Sequence, residues 1–276
     1  MNMPNIIVNK ELCTRCNLCA SICLMGIIKP ARGENHPYIE SGSIDNCMLC
    51  GHCEAFCPQQ ALVLDYLTGE KQTYREADSL IVPQQLALYM RKRRSMRHFK
   101  PEPVAKETIN AILETARFAP TGGNSQTVQW LVIYDREEVK RIAGLTVEWM
   151  RSIKGTPHPM AHYVANIIKG WEMGFDPICR HAPHLVFAHI PYSEFIDDRT
   201  DAIIALSHFD LAAPAFGVGA CWAGFIRMAL DSYEPLKEAL DLPAKRRVGY
   251  GLFFGYPALD VKAIPRRKPL NVVWRG

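Results

Sequence analysis

The amino-acid sequence predicts an α+β protein in which a small cysteine-rich unit precedes a larger unit of helices and strands. Eight of the ten cysteines fall before residue 58, in two runs of identical spacing. Beyond residue 82, helical and extended patterns follow one another without a regular βαβ rhythm, which favours α+β over a doubly wound sheet. A chain of 276 residues has room for two domains.

The cysteine runs form an internal repeat. Each run reads C-x2-C-x2-C-x3-C, and each cysteine of the second run follows its counterpart by 34 residues. The spacing suits an iron–sulfur cubane, because a tight loop can direct three thiolates at three irons. Structural zinc, which usually takes its ligands as two separated pairs, and disulfides are the alternatives. The runs are Cys13, Cys16, Cys19 and Cys23, followed by Cys47, Cys50, Cys53 and Cys57.

Composition and charge indicate a cytoplasmic protein. The N-terminus shows no secretory signal, and no run of about 18 apolar residues could span a membrane. In the cytoplasm thiols stay reduced, so dense cysteine usage indicates metal or redox chemistry. The formal net charge of +4 is too small to indicate a nucleic-acid partner.

A polar stretch around Gly69 separates the two units. Charged residues replace the cysteine pattern there, and this change is typical of a connector. We expect the boundary between residues 66 and 82, and we assign residues 1–75 to the first domain and 76–276 to the second.

The second domain contains the following predicted elements in order. Pro83 near the start and cations at the end predict a helix over 82–94, and a stripe of apolar residues predicts another over 106–120. Runs rich in β-branched and aromatic residues predict strands. The remaining elements are strands at 128–134 and 184–190, a buried helix at 201–217, a short strand at 219–225, a helix at 234–240 and a strand at 247–257.

Basic residues form two groups near the ends of the second domain. The first group, within 91–100, has three interpretations: a solvated helix C-terminus, a nucleic-acid contact, or a phosphate pocket built from arginine forks and a serine hydroxyl. Between the two groups, residues 119–130 carry a glycine pair and two amide side chains, Asn124 and Gln126. Such amides can both donate and accept hydrogen bonds, as a flavin edge requires.

Up to about residue 65, the cysteine runs resemble the two-cluster bacterial ferredoxins. That resemblance implies two [4Fe–4S] clusters in which the fourth cysteine of each run serves the other cluster. Cluster one would then be held by Cys13, Cys16, Cys19 and Cys57, and cluster two by Cys47, Cys50, Cys53 and Cys23. The sequence departs from the ferredoxin pattern at one place, where Leu24 and not proline follows Cys23.

Residues 83–276 resemble the FMN-dependent nitroreductase family. The matching motifs are RRSMRHFKPEPV, ARFAPTGGNSQ, FGVGACWAGF and GYPALDVKAIPRRKP, in that order. The resemblance implies a central mixed sheet with helices and a homodimer with two FMN groups at the subunit interface. The whole chain is thus similar to a fusion of a ferredoxin and a nitroreductase. This sequence departs from the family at two positions. Thr127 stands where many members have proline, and Ala223 stands where some members have glutamate.

The resemblance also assigns FMN contacts residue by residue. The first motif would hold the ribityl phosphate and the flavin edge, a loop contributed by the partner subunit would contact the flavin, a glycine-containing segment would pass its N5 atom, and a C-terminal group would clamp the phosphate. These residues are, in the same order, Arg93, Arg94, Ser95 and Arg97; Pro120, Thr121, Gly122, Asn124 and Gln126; Trp222, Ala223 and Gly224; and Arg266, Arg267 and Lys268.

The sequence therefore predicts a flavin-dependent oxidoreductase that passes electrons from two clusters to FMN and on to a small conjugated or nitroaromatic substrate. No catalytic side chain is predicted, because the hydride would leave N5 of the flavin. The external electron donor would be a ferredoxin or NAD(P)H. Two alternatives remain besides nucleic-acid binding: an NAD(P)H-dependent nitroreductase with accessory clusters, and an electron-transfer subunit for a partner protein.

Overall fold

The computed structural model describes residues 6–65, 81–192 and 198–276. The chain divides into two compact units: Met1–Leu80 with Gly122–Ser125, and Ile81–Thr121 with Gln126–Gly276. The domain boundary predicted at residues 75 and 76 lies outside the described residues. In the described ranges, no helix is both long and apolar enough to cross a bilayer.

The first unit consists of two short antiparallel ladders and two single-turn helices. In the first ladder, Ile6 pairs with Leu64, and in the second Ile28 pairs with Ile39. Its small core is built from isoleucines and leucines, against which half-buried cysteines pack. The elements are β1 (Ile6–Val8), α1 (Leu18–Ser21), β2 (Ile28–Lys29), β3 (Tyr38–Ile39), α2 (His52–Ala55) and β4 (Leu62–Leu64).

The sequence repeat is also a backbone repeat. α2 follows α1 by 34 residues, and each helix is preceded by a residue with left-handed backbone, Asn17 (φ 63°) and Gly51 (φ 73°). The same offset relates Arg15 to Leu49, which also have positive φ. Two cysteine loops of one sequence pattern therefore adopt one backbone conformation, as expected if both are shaped around the same kind of group.

The second unit is built on a four-stranded sheet in the order β5-β6-β8-β7. The predicted helices and strands are present, although the helix predicted at 201–217 ends at Ala212 and the strand predicted at 219–225 ends at Trp222. Three helices, over 136–153, 161–172 and 224–229, were not predicted from the sequence. The elements of this unit follow in chain order. They are α3 (Pro83–Lys92), α4 (Lys106–Ala116), β5 (Gln129–Ile133), α5 (Arg136–Ile153), α6 (Ala161–Glu172), β6 (His184–Pro191), α7 (Thr200–Ala212), β7 (Gly219–Trp222), α8 (Gly224–Ala229), α9 (Glu234–Ala239) and β8 (Arg246–Gly255).

The sheet differs from the predicted mixed sheet, because all pairs among its four described strands are antiparallel. Its two faces support separate cores. Leu185 and Phe187 of β6 face the core that includes α5, α6, α8 and α9, whereas Val186 and Ala188 face the core of α4 and α7. This alternation follows from the two-residue period of a strand. The α+β class is confirmed.

Two glycines allow the close packing that positions the site. A Cβ atom at Gly249 of β8 would lie 2.3 Å from the Cβ of Ala202, so α7 packs directly on the strand backbone. A Cβ atom at Gly219 of β7 would lie 2.5 Å from Cγ of Met96. Any side chain at Gly219 would push the basic segment 93–97 away from the sheet.

Candidate functional site

The first unit brings the eight patterned cysteines together in two sets of four. One cavity is lined by Cys13, Cys16, Cys19 and Cys57. A second cavity is lined by Cys23, Cys47, Cys50 and Cys53. In each set the fourth cysteine comes from the other run of the repeat. This grouping matches the crossed sets expected from the sequence, while ligation itself stays a prediction.

Several of these sulfur atoms are partly buried and accept hydrogen bonds from backbone amides. The Ala61 amide donates to Sγ of Cys57 at 3.2 Å. Burial, with a smaller contribution from the neighbouring thiols of Cys47, Cys50 and Cys23, raises the pKa of Cys53 to about 11. The pKa of Cys19 is raised for the same reasons, first by burial and then by its neighbours in cluster set one. Four thiols that line one cavity favour a group that replaces their protons with metal.

The donor set fits a cluster. Among the described residues, no three cysteine, histidine or acidic side chains lie close enough together to hold a single metal ion. A cubane places its four thiolates around a group several atoms across. Amides also donate to the Cys19 and Cys53 sulfurs, and such bonds tune cluster potentials.

In the second unit, the first basic motif lies against β7. The Met96 amide donates to the Ala220 carbonyl at 3.0 Å, and the Lys100 amide donates to the Tyr256 carbonyl at 2.9 Å. The segment is therefore held between β7 and the chain that follows β8. Its side chains Arg93, Arg94 and Ser95 are half-buried, and Arg97 is exposed.

The basic motif and the predicted N5 segment are neighbours. The Ser95 hydroxyl is within hydrogen-bond reach of the Cys221 thiol, which lies one residue before Trp222. Burial raises the pKa of Cys221, and the charge of Arg97 opposes that rise. The structure thus places guanidinium groups beside the segment expected to pass N5. A phosphate-bearing flavin needs both a cationic clamp and nearby backbone donors, so the residues present fit such a group.

Asp210 joins the two motifs, and sequence reasoning missed it. Its Oδ2 accepts a hydrogen bond from Nε1 of Trp222 at 3.1 Å and forms an ion pair with Arg93 at 3.2 Å. The residue is 6% exposed. Burial raises the pKa of Asp210, and Arg93 partly opposes the rise. The signal in the sequence was an acid near the end of a mostly apolar helix, where acids rarely lie unpaired.

Tyr89 fixes α3 to the same region. Its hydroxyl donates to the Leu211 carbonyl and accepts from the Ala215 amide at 3.1 Å. The helix that leads into Arg93 is thereby fixed to the end of α7, the helix that carries Asp210. Packing of α3 therefore sets the position of the first basic motif.

The predicted N5 segment has one amide that donates to a carbonyl of the chain and one with no acceptor among the described residues. The Ala223 amide donates to the Gly251 carbonyl at 2.9 Å. Gly224 begins α8, where an amide has no intrahelical acceptor, and none of the hydrogen bonds among the described residues uses it. If this segment contacts a flavin through its backbone, Gly224 and not Ala223 supplies the amide.

The loop at 120–127 is divided between the two units. Pro120 is exposed, and the hydroxyl of Thr121 accepts from the Gln126 amide at 3.0 Å. Gly122–Ser125 group with the first unit, where Nδ2 of Asn124 donates to the carbonyls of Met48 and Leu49 at 3.1 and 2.9 Å. The predicted flavin contacts of this loop therefore stay predictions.

The C-terminal basic group lies in an irregular tail. Arg266, Arg267 and Lys268 are all exposed there. Among the ion pairs of the described residues, none involves these three side chains. Their role as a phosphate clamp therefore stays a prediction.

The fold and the two sites define an oxidoreductase class in which a cluster-binding unit is joined to an α+β catalytic unit. A family model described as the nitroreductase family matches residues 90–256, and the chain belongs to that family. A second model, described as a 4Fe-4S dicluster domain, matches residues 12–62. Both halves of the predicted fusion are therefore present.

Individual relatives agree with this division. The chain is 28% identical to an FMN reductase (NAD(P)H) of Bacillus subtilis over 182 residues, which cover 65% of this chain and 68% of the relative. It is 33% identical over 85 residues to an NADH-quinone oxidoreductase subunit I of Geobacter metallireducens, covering 28% of this chain and 63% of that subunit.

Among solved structures, a nitroreductase from Desulfitobacterium hafniense with bound FMN is similar at a TM-score of 0.56 and 21% identity. The match covers 68% of this chain and 98% of that structure. At this level of identity the likeness supports the fold of the second unit.

Proposed function

We propose that this protein is an FMN-dependent oxidoreductase that receives electrons through two [4Fe–4S] clusters and delivers them to a small conjugated or nitroaromatic substrate. One observation carries the proposal: a single chain combines two four-cysteine cavities with a nitroreductase-family unit whose basic motif lies beside the predicted N5 segment. Joining the two units on one chain makes electron transfer intramolecular, with a high effective concentration.

The chain's own residues bind and orient the cofactors. The cysteine sets ligate the clusters, and amides at Cys19, Cys53 and Cys57 set the polarity around the sulfurs. Arg93, held by Asp210, and the neighbouring Ser95 bind the ribityl phosphate and the flavin edge. When bound, the clusters supply electrons singly, and FMN supplies them to the substrate in pairs.

A nitro compound is reduced in two steps, each of which takes two electrons and two protons. Two electrons and two protons convert the nitro group to a nitroso group and release one water, breaking one N–O bond. A second pair of electrons with two protons reduces the nitroso group to a hydroxylamine. The electrons enter from an external reduced ferredoxin, and the protons come from solvent.

A homodimer with FMN at the subunit interface is part of the proposal. Support comes from apolar side chains that face solvent in the single chain. Trp274 and Leu270 of the C-terminal tail are 90% and 89% exposed, and Leu88 of α3 is 56% exposed. Exposed apolar patches of this kind mark association surfaces.

The first test is the cofactor content of protein purified without oxygen. About eight iron and eight sulfide per chain, with one FMN, are expected for two cubanes and one flavin. The second step mixes the oxidised holoenzyme with reduced ferredoxin and then with a nitroaromatic. Cluster bleaching must precede flavin bleaching, and flavin must recover when the nitroaromatic is added. Zinc in place of iron, or flavin bleaching before the clusters, would refute the proposed path.

A second candidate uses NAD(P)H as the direct donor, with the clusters as a side exit for electrons. The name of the Bacillus subtilis relative favours it. Stopped-flow mixing with NADH or NADPH separates the two. Flavin bleaching within milliseconds, in a variant whose clusters have been removed, would support direct reduction and would contradict the cluster route.

A further inference from the structure

An open groove of about 220 Å³ lies beside the predicted N5 segment. Its walls are largely apolar, and two arginines, Arg97 and Arg180, complete it. Arg97 belongs to the first basic motif, but Arg180 belongs to none of the motifs matched to the family. Other lining residues include Cys221, Phe225, Met228 and Phe253.

Arg180 is carried by a loop that is fixed by a buried carboxylate. Oδ1 of Asp176 accepts from the amides of Ile178 and Cys179, both at 2.9 Å, and Oδ2 accepts from the His181 amide at 2.9 Å. Asp176 is 4% exposed. Because three amides donate to one carboxylate, the loop has little conformational freedom, and the backbone position of Arg180 is fixed.

The backbone at Arg180 is also unusual. Arg180 and His181 both have left-handed backbone, with φ of 58° and 56°. A left-handed conformation is unfavourable for a residue other than glycine, and such residues concentrate at functional sites. Two such residues in succession persist here because the Asp176 hydrogen bonds enforce them.

Among the described residues, the guanidinium of Arg180 has no acidic partner. Within the part of the chain that the structure describes, no carboxylate lies within ion-pair distance of it, although Arg227 of the same region pairs with Asp231. Its Cζ lies 5.0 Å from the centre of the Phe175 ring, which supports the side chain by a cation–π contact. The charges of Arg97 and Arg180 both act on the Cys221 thiol, lowering its pKa against the larger effect of burial, and both arginines line the groove.

An arginine that lines an apolar groove, with no carboxylate partner among the described residues, matches a planar anion. An arginine fork binds a carboxylate through two parallel hydrogen bonds. Binding pockets combine apolar walls with a few such polar groups that fix orientation. The flavin phosphate already has its proposed partners in Arg93 and Ser95, which leaves Arg180 for a different anion.

We propose that Arg180 binds the carboxylate of the substrate, and that the preferred substrates are conjugated carboxylic acids whose apolar body lies along Phe225 and Met228. The inference rests on the proposed function, since it names the substrate class of that same site. It assigns Arg180 to specificity and adds no step to the electron balance given above.

The test compares 4-nitrobenzoate with 4-nitrobenzamide, which has nearly the same shape and no charge. Full-length holoenzyme is reduced with methyl viologen, and kcat/KM is measured for both compounds. Replacement R180Q should lower kcat/KM for the acid about 10- to 100-fold, the range expected for one hydrogen bond to a charged group. The amide should change by less than about threefold, and R180K should fall between wild type and R180Q because lysine lacks the fork.

Controls separate this inference from the proposed function. R141Q removes an exposed arginine paired with Glu138 and should leave both compounds unaffected. Calorimetric titration of each compound into wild type and R180Q measures the binding affinity without turnover. Selective loss of acid binding in R180Q would uphold the inference even if neither compound were reduced, a result that would count against the proposed function alone. Equal losses for acid and amide, unchanged acid binding, or loss of FMN from R180Q would overturn it.

Discussion

Replacing Asp210 tests how the basic motif and the N5 segment are held together. Asp210 is the shared acceptor for Trp222 and Arg93, at 3.1 and 3.2 Å. D210A removes both interactions and leaves a small void. D210N keeps the shape and one oxygen for Trp222 but removes the charge that faces Arg93.

The two variants should differ in stability. A lost hydrogen bond to a charged group costs about 1.5–3 kcal/mol, and breaking a buried ion pair costs about 3–5 kcal/mol. The Arg93 side chain is 25% exposed, so water replaces part of what it loses, and we expect D210A to cost about 2–4 kcal/mol. D210N also leaves Arg93 without its charged partner, but it fills the same space and keeps an oxygen for Trp222. Because burial raises the pKa of Asp210, the charge that D210N removes was itself unfavourable, and D210N should cost less than D210A.

The assay is urea unfolding of the full chain, followed by tryptophan fluorescence, together with titration of FMN into flavin-free protein. D210A should unfold at lower urea and bind FMN at least about tenfold more weakly, since Arg93 loses its fixed position. D260A is the matched control, because Asp260 is exposed and pairs only with Lys262 among its described neighbours. Unchanged FMN affinity in D210A would refute the reasoning, and equal damage from D210N would show that the charge, and not the Trp222 bond, carries the effect.

Three further predictions concern the clusters, the acid limit and the sheet. Anaerobic C13A and C57A should lose the same cluster signal in electron paramagnetic resonance, while C23A loses the other; matching losses in C57A and C23A would contradict the crossed sets. Burial, and then the charge of Arg246, lowers the pKa of His189 to about 4. The contribution of neutral His189 to the free energy of unfolding is therefore fully present above about pH 6.5, and up to about 3 kcal/mol of it is lost as the pH drops towards 4. The urea midpoint should follow that course in wild type and less steeply in H189Q. G249V should cost about 2–3 kcal/mol in urea unfolding, because the neighbouring helix occupies the space of its side chain. G170A is the control and should cost less, because an added Cβ there meets only the Phe175 ring at 3.7 Å.

Much of the fold was predictable because its signals are local. The cysteine spacing, the apolar stripe of α4 and the β-branched run of β6 depend on residues adjacent in sequence. The direction of strand pairing is not local, and the sheet proved antiparallel over its described strands where a mixed sheet was expected. The grouping of Cys57 with the first cysteine run could be predicted because it belongs to a repeated pattern.

The residues that sequence reasoning missed share one physical property: their partners are distant in sequence or leave no pattern in it. Asp210 meets Arg93 across more than a hundred residues, and nothing near it in the chain marks that pairing. Arg180 is distinguished only by the three amides that donate to Asp176 and by its left-handed backbone. Neither feature can be recognised from the amino-acid composition. In a family that shares one flavin scaffold, cofactor residues recur in motifs, whereas a residue that selects the substrate must vary with the substrate. The arginine outside every motif is therefore where we expect the specificity of this particular chain to be determined.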